Sequence, residues 1–394
     1  MSIRLQIRKN EVERYKKGYP LLTKEALARD SRNMVEGELF ELYDGNKWMA
    51  RGYIGYQNKG LGWILSLQEE EKIDKEFFFR KLGEALAKRE GRFVSDETNC
   101  YRFFNGEGDG IGGMQIDCLD GYYVFHWYSK GIYQYRETIL EAFCELMDYR
   151  GIYEKRRFKE KGKYLEGNDF VRGERHSDEF FVKENKVRYR VNLDDGAMYG
   201  IFLDQREVRR ALIERYARGR AVLNTFSYTG AFSVAAKAGG ATKTVSVDLA
   251  NRSRSMTEDN FRLNAIDLSE ETIIVEDIYN YFRYAKKKQL LFDMIILDPP
   301  SFSRSKKKIF QAEKDYQELI EMAIAVAGKD AILILSTNCS TLKLGKFRQF
   351  ASQAFKKSGR RYRIVEEFRN PEDFSPMPAY PESNYLKVMI VEVN

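Results

Sequence analysis

From residue 191 onward, short and nearly continuous apolar runs alternate with longer segments whose apolar positions recur at helical spacing. "RAVLNTFSYTGAFSVAAKAGG" reads as a strand, a turn and a small-residue helix, and "KTVSVDLA" as a second strand. "SRSMTEDNFRLNAI" is a helix, "ETIIVEDIYNYFRYAKK" a strand followed by a helix, and "LFDMIILDPP" a fourth strand. "YQELIEMAIAVAG" is helical, "DAILILSTNCS" a fifth strand, and "LGKFRQFASQAFKKSG" a helix before a hairpin-like ending. This alternation predicts an α/β fold, a doubly wound and mostly parallel sheet with helices on both faces. Ligands of such sheets sit beyond the carboxyl ends of the strands.

The rhythm before residue 191 differs. Residues 1–72 carry alternating stretches, "EGELFELYDG" and "WMARGYIGYQNKGLGWILSL", broken at Asp44-Gly45 and Gly60/Gly62, which predict a small β-rich domain. Residues 73–190 open on a helical pattern, "DKEFFFRKLGEALAKREG", and continue through glycine-punctuated turns, alternating aromatic strands such as "YYVFHWY" and a second helix, "QYRETILEAFCELM". They read as a central α+β domain, ahead of a third domain over 191–394.

Composition narrows the class. Hydrophobic content of 43% with 32% charged residues suits a folded soluble chain, and 394 residues can build several cores. Cys100, Cys118, Cys144 and Cys339 are scattered, and His126 and His176 lie far apart, so no metal site is expected. Without a signal-like or membrane-spanning run, a reduced, cytoplasmic protein is expected. A net charge of +7 permits an anionic partner without requiring one. Basic clusters occur at Lys155-Arg156-Arg157, Lys286-Lys287-Lys288, Lys306-Lys307-Lys308 and Arg360-Arg361. The third, just after a proline-rich turn, suits phosphate contact, and the others read as solvated faces.

Four strand ends carry pointed chemistry. In "NTFSYTGAF", Asn224 to Phe232, Gly230 and Ala231 allow a ligand to approach backbone N–H groups, or simply make a strand–helix turn. Asp248 can accept from the ribose hydroxyls of an adenosine cofactor, or cap the next helix. Asp277 can accept from an adenine amine, or cap a helix. In "DPPSF", Pro299 and Pro300 stiffen the exit from a strand and suit a rim for a planar base, or a tight loop. The sheet topology brings Cys339 of "STNCS" to the edge that carries Asp298. A thiolate there can add to C6 of a pyrimidine and make C5 nucleophilic toward an activated methyl, with Asp298 stabilising charge at N3; a small buried residue is the other reading. Cys100, Cys118 and Cys144 read as packing. Asp204, Gln205 and Arg206, in "FLDQREVR", are placed to close over a ligand, and Arg206 equally suits a domain interface.

The ordered set "VNLDDGAMYGIFLDQREVR", "VLNTFSYTGAFSVAAKAGGA", "SVDLA", "ILDPPSF" and "STNCS", with "NGEGDGIGGMQID" upstream, resembles the class I S-adenosylmethionine-dependent methyltransferases of large-subunit ribosomal RNA, in their cytosine-5 subgroup. The resemblance implies a seven-stranded Rossmann-like sheet at 191–394, an N-terminal PUA-like RNA-binding domain and a central mixed domain. It implies S-adenosylmethionine held by Asn224, Phe226, Ser227, Tyr228, Thr229, Gly230, Asp248, Asp277, Asp298, Gln205 and Arg206. It also implies Cys339 as covalent nucleophile with Asp298. Pro299, Pro300, Phe302, Lys306, Lys307 and Lys308 would face the target base. The implied partner is ribosomal RNA, 23S, with no membrane and with a homodimer allowed. Ser301 stands where many RNA cytosine-5 enzymes carry a second, product-releasing cysteine. A methyltransferase acting on a guanine nitrogen, with Cys339 inert, and a non-catalytic RNA-binding protein are the alternatives. The glycine pattern at 224–232 is wrong for a nicotinamide dinucleotide.

Overall fold

The computed structural model describes residues 2–28, 34–57, 60–160, 163–164, 169–194, 196, 198–304 and 309–394. They form two compact units. The first comprises Met1–Phe180, Asn192–Tyr199 and Glu372–Ser383, and the second Phe181–Val191, Gly200–Pro371 and Asn384–Asn394. The hairpin of Phe181–Glu184 and Val187–Arg190, which the sequence reading ran into the central segment, packs with the second unit.

The first unit holds two five-stranded sheets. One has the order Ile3–Gln6, Leu39–Asp44, Lys47–Gln57, Gly60–Ser66, Leu21–Thr23; its first pair is parallel and the rest antiparallel. The other has the order Phe170–Gly173, Gly151–Arg156, Tyr122–Trp127, Met114–Leu119, Cys100–Phe104. Tyr53, fully buried in the first sheet, donates its hydroxyl to Gly112 O at 2.7 Å and so ties the first sheet to the glycine-rich turn. The aromatic strand Tyr122–Trp127 does not alternate between core and solvent, because all six residues are buried.

Its polar member is satisfied from within. Asp117 on the neighbouring strand accepts from Arg102 Nε at 2.6 Å and from the Tyr199 hydroxyl at 2.9 Å, and lies 2.9 Å from His126 Nε2. Burial alone would raise the Asp117 carboxyl, but the Arg102 charge and the His126 hydrogen bond hold it well below the carboxylate range. Burial takes the His126 imidazole down to about 4, against the pull of Asp117. Two supposed solvated bases are also structural. Buried Lys155 donates to Asp169 and to Leu193 O, both at 2.6 Å, and Arg360 donates to Ala327 O and Gly328 O, both at 2.7 Å.

The second unit is built on seven strands: β1 (Ala221–Thr225), β2 (Lys243–Asp248), β3 (Thr272–Val275), β4 (Phe292–Leu297), β5 (Ala327–Thr337), β6 (Tyr362–Phe368) and β7 (Lys387–Val393). Their spatial order is β3-β2-β1-β4-β5-β7-β6, parallel from β3 to β5, with β7 antiparallel to both neighbours. The helices are α1 (Ala231–Ala238), α2 (Arg252–Leu263), α3 (Ile278–Lys287), α4 (Ala312–Ile324) and α5 (Leu344–Ser358). Alternate strand residues serve opposite faces, as strand pleating requires. Leu223, Ile295 and Leu333 pack with α3, α4 and α5, whereas Val222, Ile296 and Ile334 pack with α1 and the helix Arg206–Ala211. Parallel register sets Thr225 beside Val247 and Leu297, and Leu297 beside Leu335, so the residues that follow emerge at one edge.

Candidate active site

The loop between β1 and α1 is held in an unusual backbone conformation. Phe226, Tyr228 and Gly230 have φ of 54°, 50° and 72°. Left-handed residues alternating along a loop turn successive N–H groups into a concave, anion-accepting cradle, and bulky side chains adopt this conformation only when the surroundings enforce it. The surroundings here are specific. Ser227 N donates to Val247 O at 3.1 Å, Gly230 N to Ser227 O at 2.7 Å, and the Thr229 hydroxyl to Gly200 O at 2.7 Å. Beneath the loop, buried Asn224 donates to Ser233, whose hydroxyl lies 2.7 Å from that of Ser246.

Asp248, half-buried at the end of β2, closes the loop. Its two carboxylate oxygens accept from Tyr228 N and Ala250 N, both at 2.9 Å. It is not the cap of α2, whose first flanking residue is Asn251. Asp277 does cap α3, accepting from Tyr279 N at 3.0 Å and Asn280 N at 3.4 Å. Helix capping was one of the two roles the sequence allowed it.

The end of β4 meets the end of β5 through two side chains. Gln205 Nε2 donates to Asp298 Oδ1 at 3.1 Å and to Ser336 Oγ at 2.8 Å. The buried Tyr316 hydroxyl reaches both Leu297 O at 2.9 Å and Ser336 O at 2.6 Å. Asp298 is half-buried. Loss of solvation raises its pKa to about 6, helped by the nearby charge of Asp204, against hydrogen bonds from Ser336 and Gln205. Pro299 is buried and Pro300 exposed, and the Phe302 ring stands 59% exposed at the rim. Lys306, Lys307 and Lys308 lie outside the described residues.

Cys339 shares this edge. Ser301 Oγ donates to Asn338 Oδ1 at 2.7 Å, joining the Asp298 turn to the cysteine loop. Cys339 is buried, its N–H donates to Thr337 Oγ1 at 3.2 Å, and its sulfur lies 3.4 Å from Thr341 Oγ1. Cys100 and Cys118 are buried and Cys144 half-buried, all three in the first unit, and all four cysteines are free.

Sequence reasoning missed the residues that hold these loops from afar. Arg209 and Glu184, both fully buried, form a two-point ion pair at 2.6 and 2.7 Å that fastens the hairpin to the helix Arg206–Ala211, and Arg209 also donates to Phe202 O at 2.8 Å. Asn260 of α2 donates to Thr229 O at 2.8 Å and accepts from Arg190 N at 2.7 Å. Lys387, at the start of β7, donates to Cys339 O at 3.0 Å. Arg206 is buried, and its carbonyl accepts from Asn185 Nδ2 at 3.3 Å. Such partners are far apart in sequence and carry no local motif.

The edge is chemically incomplete by itself. Gln205 Oε1 and Asn224 Oδ1 are buried with no hydrogen-bond partner among the described residues, which is costly unless a ligand supplies one. A backbone cradle, a carboxylate at the end of β2 and two orphaned acceptors fit a nucleoside cofactor with an amino-acid tail. Among the described residues no cluster of His, Cys, Asp and Glu could hold a metal ion, and no helix is long and apolar enough to cross a membrane.

Comparison with known proteins agrees with this geometry. Residues 157–383 match a family model described as S-adenosylmethionine-dependent methyltransferase, and residues 5–67 one described as PUA-like domain. The chain is 50% identical over 391 residues to a Bacillus subtilis (strain 168) protein provisionally named ribosomal RNA large subunit methyltransferase YwbD, covering 98% of this chain and 99% of that one. It is 32% identical over 393 residues to ribosomal RNA large subunit methyltransferase I of Yersinia pseudotuberculosis serotype O:1b (strain IP 31758), covering 98% of each. A structure of SMU.776, provisionally described as a methyltransferase and complexed with SAH, superposes with a TM-score of 0.90 at 36% identity over 99% of this chain and all of that one. The chain therefore belongs to the S-adenosylmethionine-dependent methyltransferase family, in its branch with an N-terminal PUA-like domain.

Proposed function

We propose that this enzyme methylates C5 of a cytosine in large-subunit ribosomal RNA through a covalent adduct with Cys339. The RNA class follows the names of relatives that match nearly end to end. The observation that carries the chemistry is the bridging of the Asp298 and Cys339 loops, by Gln205 to Ser336 and by Ser301 to Asn338.

The loop 226–230, Asp248, Asp277, Gln205 and Arg206 would hold S-adenosylmethionine, which supplies an electrophilic methyl group. The Cys339 thiolate adds at C6 of the ring, forming an S–C6 bond and moving electron density to C5 and N3. Asp298, with a pKa near 6, is poised to give a proton toward N3 and later recover it. C5 then has the electron pair needed to take the methyl, whose bond to the donor sulfur would break so that S-adenosylhomocysteine leaves. Loss of the C5 proton to water returns that pair to the ring and expels the sulfur, breaking S–C6. Pro299 and Pro300 shape the wall, and the exposed Phe302 ring offers a stacking face. A base within a helix would have to be flipped out.

Incubation with RNA containing 5-fluorocytidine tests this reading. The wild type should form an adduct resistant to denaturing electrophoresis, and Cys339→Ala should form none and lose methyl transfer by about 10³-fold or more. Full transfer by Cys339→Ala would exclude the covalent route and favour a ring-nitrogen acceptor.

A further inference from the structure

Lys387 is buried, and nothing in the cysteine chemistry as usually written requires it. It begins β7 directly opposite Thr337, two residues before Cys339. Its ammonium donates to Cys339 O at 3.0 Å and to Tyr385 O at 2.6 Å. Both acceptors are neutral carbonyls, so among the described residues the ammonium has no carboxylate partner. A buried cation without a counter-ion is costly, and an anion arising beside it would offset that cost. Two charged or titratable groups act on it. Arg369 repels it, and Cys339, when ionised, attracts it. Burial and Arg369 together bring the lysine down to about 8.

We propose that Lys387 is the positioning cation of Cys339: it fixes the cysteine's backbone and supplies the positive charge against which the sulfur is anionic, both on attack at C6 and on departure. This rests on the cytosine-5 reading above. In the first step the thiolate pair becomes the S–C6 bond, and the ammonium loses its anionic neighbour. In the last step the bond breaks, the pair returns to sulfur, and the ion pair is restored. The cation thus favours departure of the sulfur as well as its ionisation, and so supports release in an enzyme that has Ser301 at the usual second-cysteine position.

The test is alkylation of the intact enzyme by iodoacetamide across pH 5.5–10, without RNA, with Cys339 quantified by peptide mass spectrometry and Cys144 as internal reference. Lys387→Gln keeps donors for the two carbonyls but removes the charge, and Lys387→Arg keeps the charge. Lys387→Gln should slow alkylation of Cys339 at pH 7 about tenfold relative to the wild type, and Lys387→Arg should restore it. Affinity for SAH should be unchanged in both. An unchanged pH–rate profile of Cys339 in folded Lys387→Gln overturns the proposal. If that variant does not fold, Lys387→Met takes its place, and the same unchanged profile overturns the proposal. The titration involves no RNA, so its result is separate from fluorocytidine trapping, which tests the cytosine reading itself.

Discussion

At the scale of single residues, the site keeps groups in states that the fold alone would not select. Asp298 is the clearest case. Its pKa is about 6 in the folded chain and ordinary in the unfolded one, so the protein holds the proton more tightly than the unfolded chain does. The stability this lends is fully present below about pH 4 and is lost as pH rises through about 6. Asp298→Asn should therefore raise the melting temperature of the second unit at pH 7.5, leave it nearly unchanged at pH 4, and abolish methyl transfer. Scanning calorimetry at the two pH values, beside a transfer assay, checks this; equal shifts at both would contradict the assignment. The places of Asp298, Asp248 and Cys339 at or just beyond strand ends were legible in the sequence because each follows an apolar run. The role Asp277 plays in the fold was one of two the sequence allowed. Lys387 was illegible, because its partner Cys339 is met only through the register of β5 and β7.

At the scale of elements, the alternation of strands and helices in the second half was readable because buried parallel strands are almost uniformly apolar and the helices between them are amphipathic. The aromatic strand Tyr122–Trp127 was legible as a strand, but the burial of both its faces was not, because Asp117, which satisfies His126 within the sheet, cannot be paired with it from local pattern. The β1–α1 loop was legible as a turn, but its left-handed series was not. Gly230 is the point where that loop is least tolerant: a Cβ there would sit 2.5 Å from Thr257 Cγ2, at a φ of 72°. Gly359, after α5, has nearly the same φ, 73°, with open space around it. Gly230→Ala should weaken SAH binding at least about tenfold through backbone displacement. Gly359→Ala should cost stability while leaving SAH affinity intact. Titration calorimetry with both variants separates backbone strain from loss of the cradle.

At the scale of the whole molecule, acid acts on the two units through different groups. In the first, His126 is held neutral, so the stability it provides is present above about pH 6.5 and is lost as pH falls through about 4. Glu107, in the same unit, works the other way: burial raises it to about 7, and the stability it provides is present below about pH 4.5 and lost as pH rises through about 7. The two offset, whereas in the second unit Asp298 gains stability as pH falls. Limited proteolysis followed by mass spectrometry at pH 7 and pH 4.5 should therefore show cleavage falling mainly in the second unit. Cleavage there that rises at pH 4.5 would refute this. The division into two units was the least legible feature, since residues 192–199 and 372–383 join the first from stretches of sequence that otherwise belong to the second.

The strand order carries one more consequence. β7 is synthesised after β6 yet lies between β5 and β6. While the nascent chain emerges from the ribosome, β5 and β6 have no native strand to bridge them, and an apolar edge stays open until the last strand arrives. Truncation before Asn384 should therefore yield insoluble protein, a liability for any fusion or tag that delays the tail from docking.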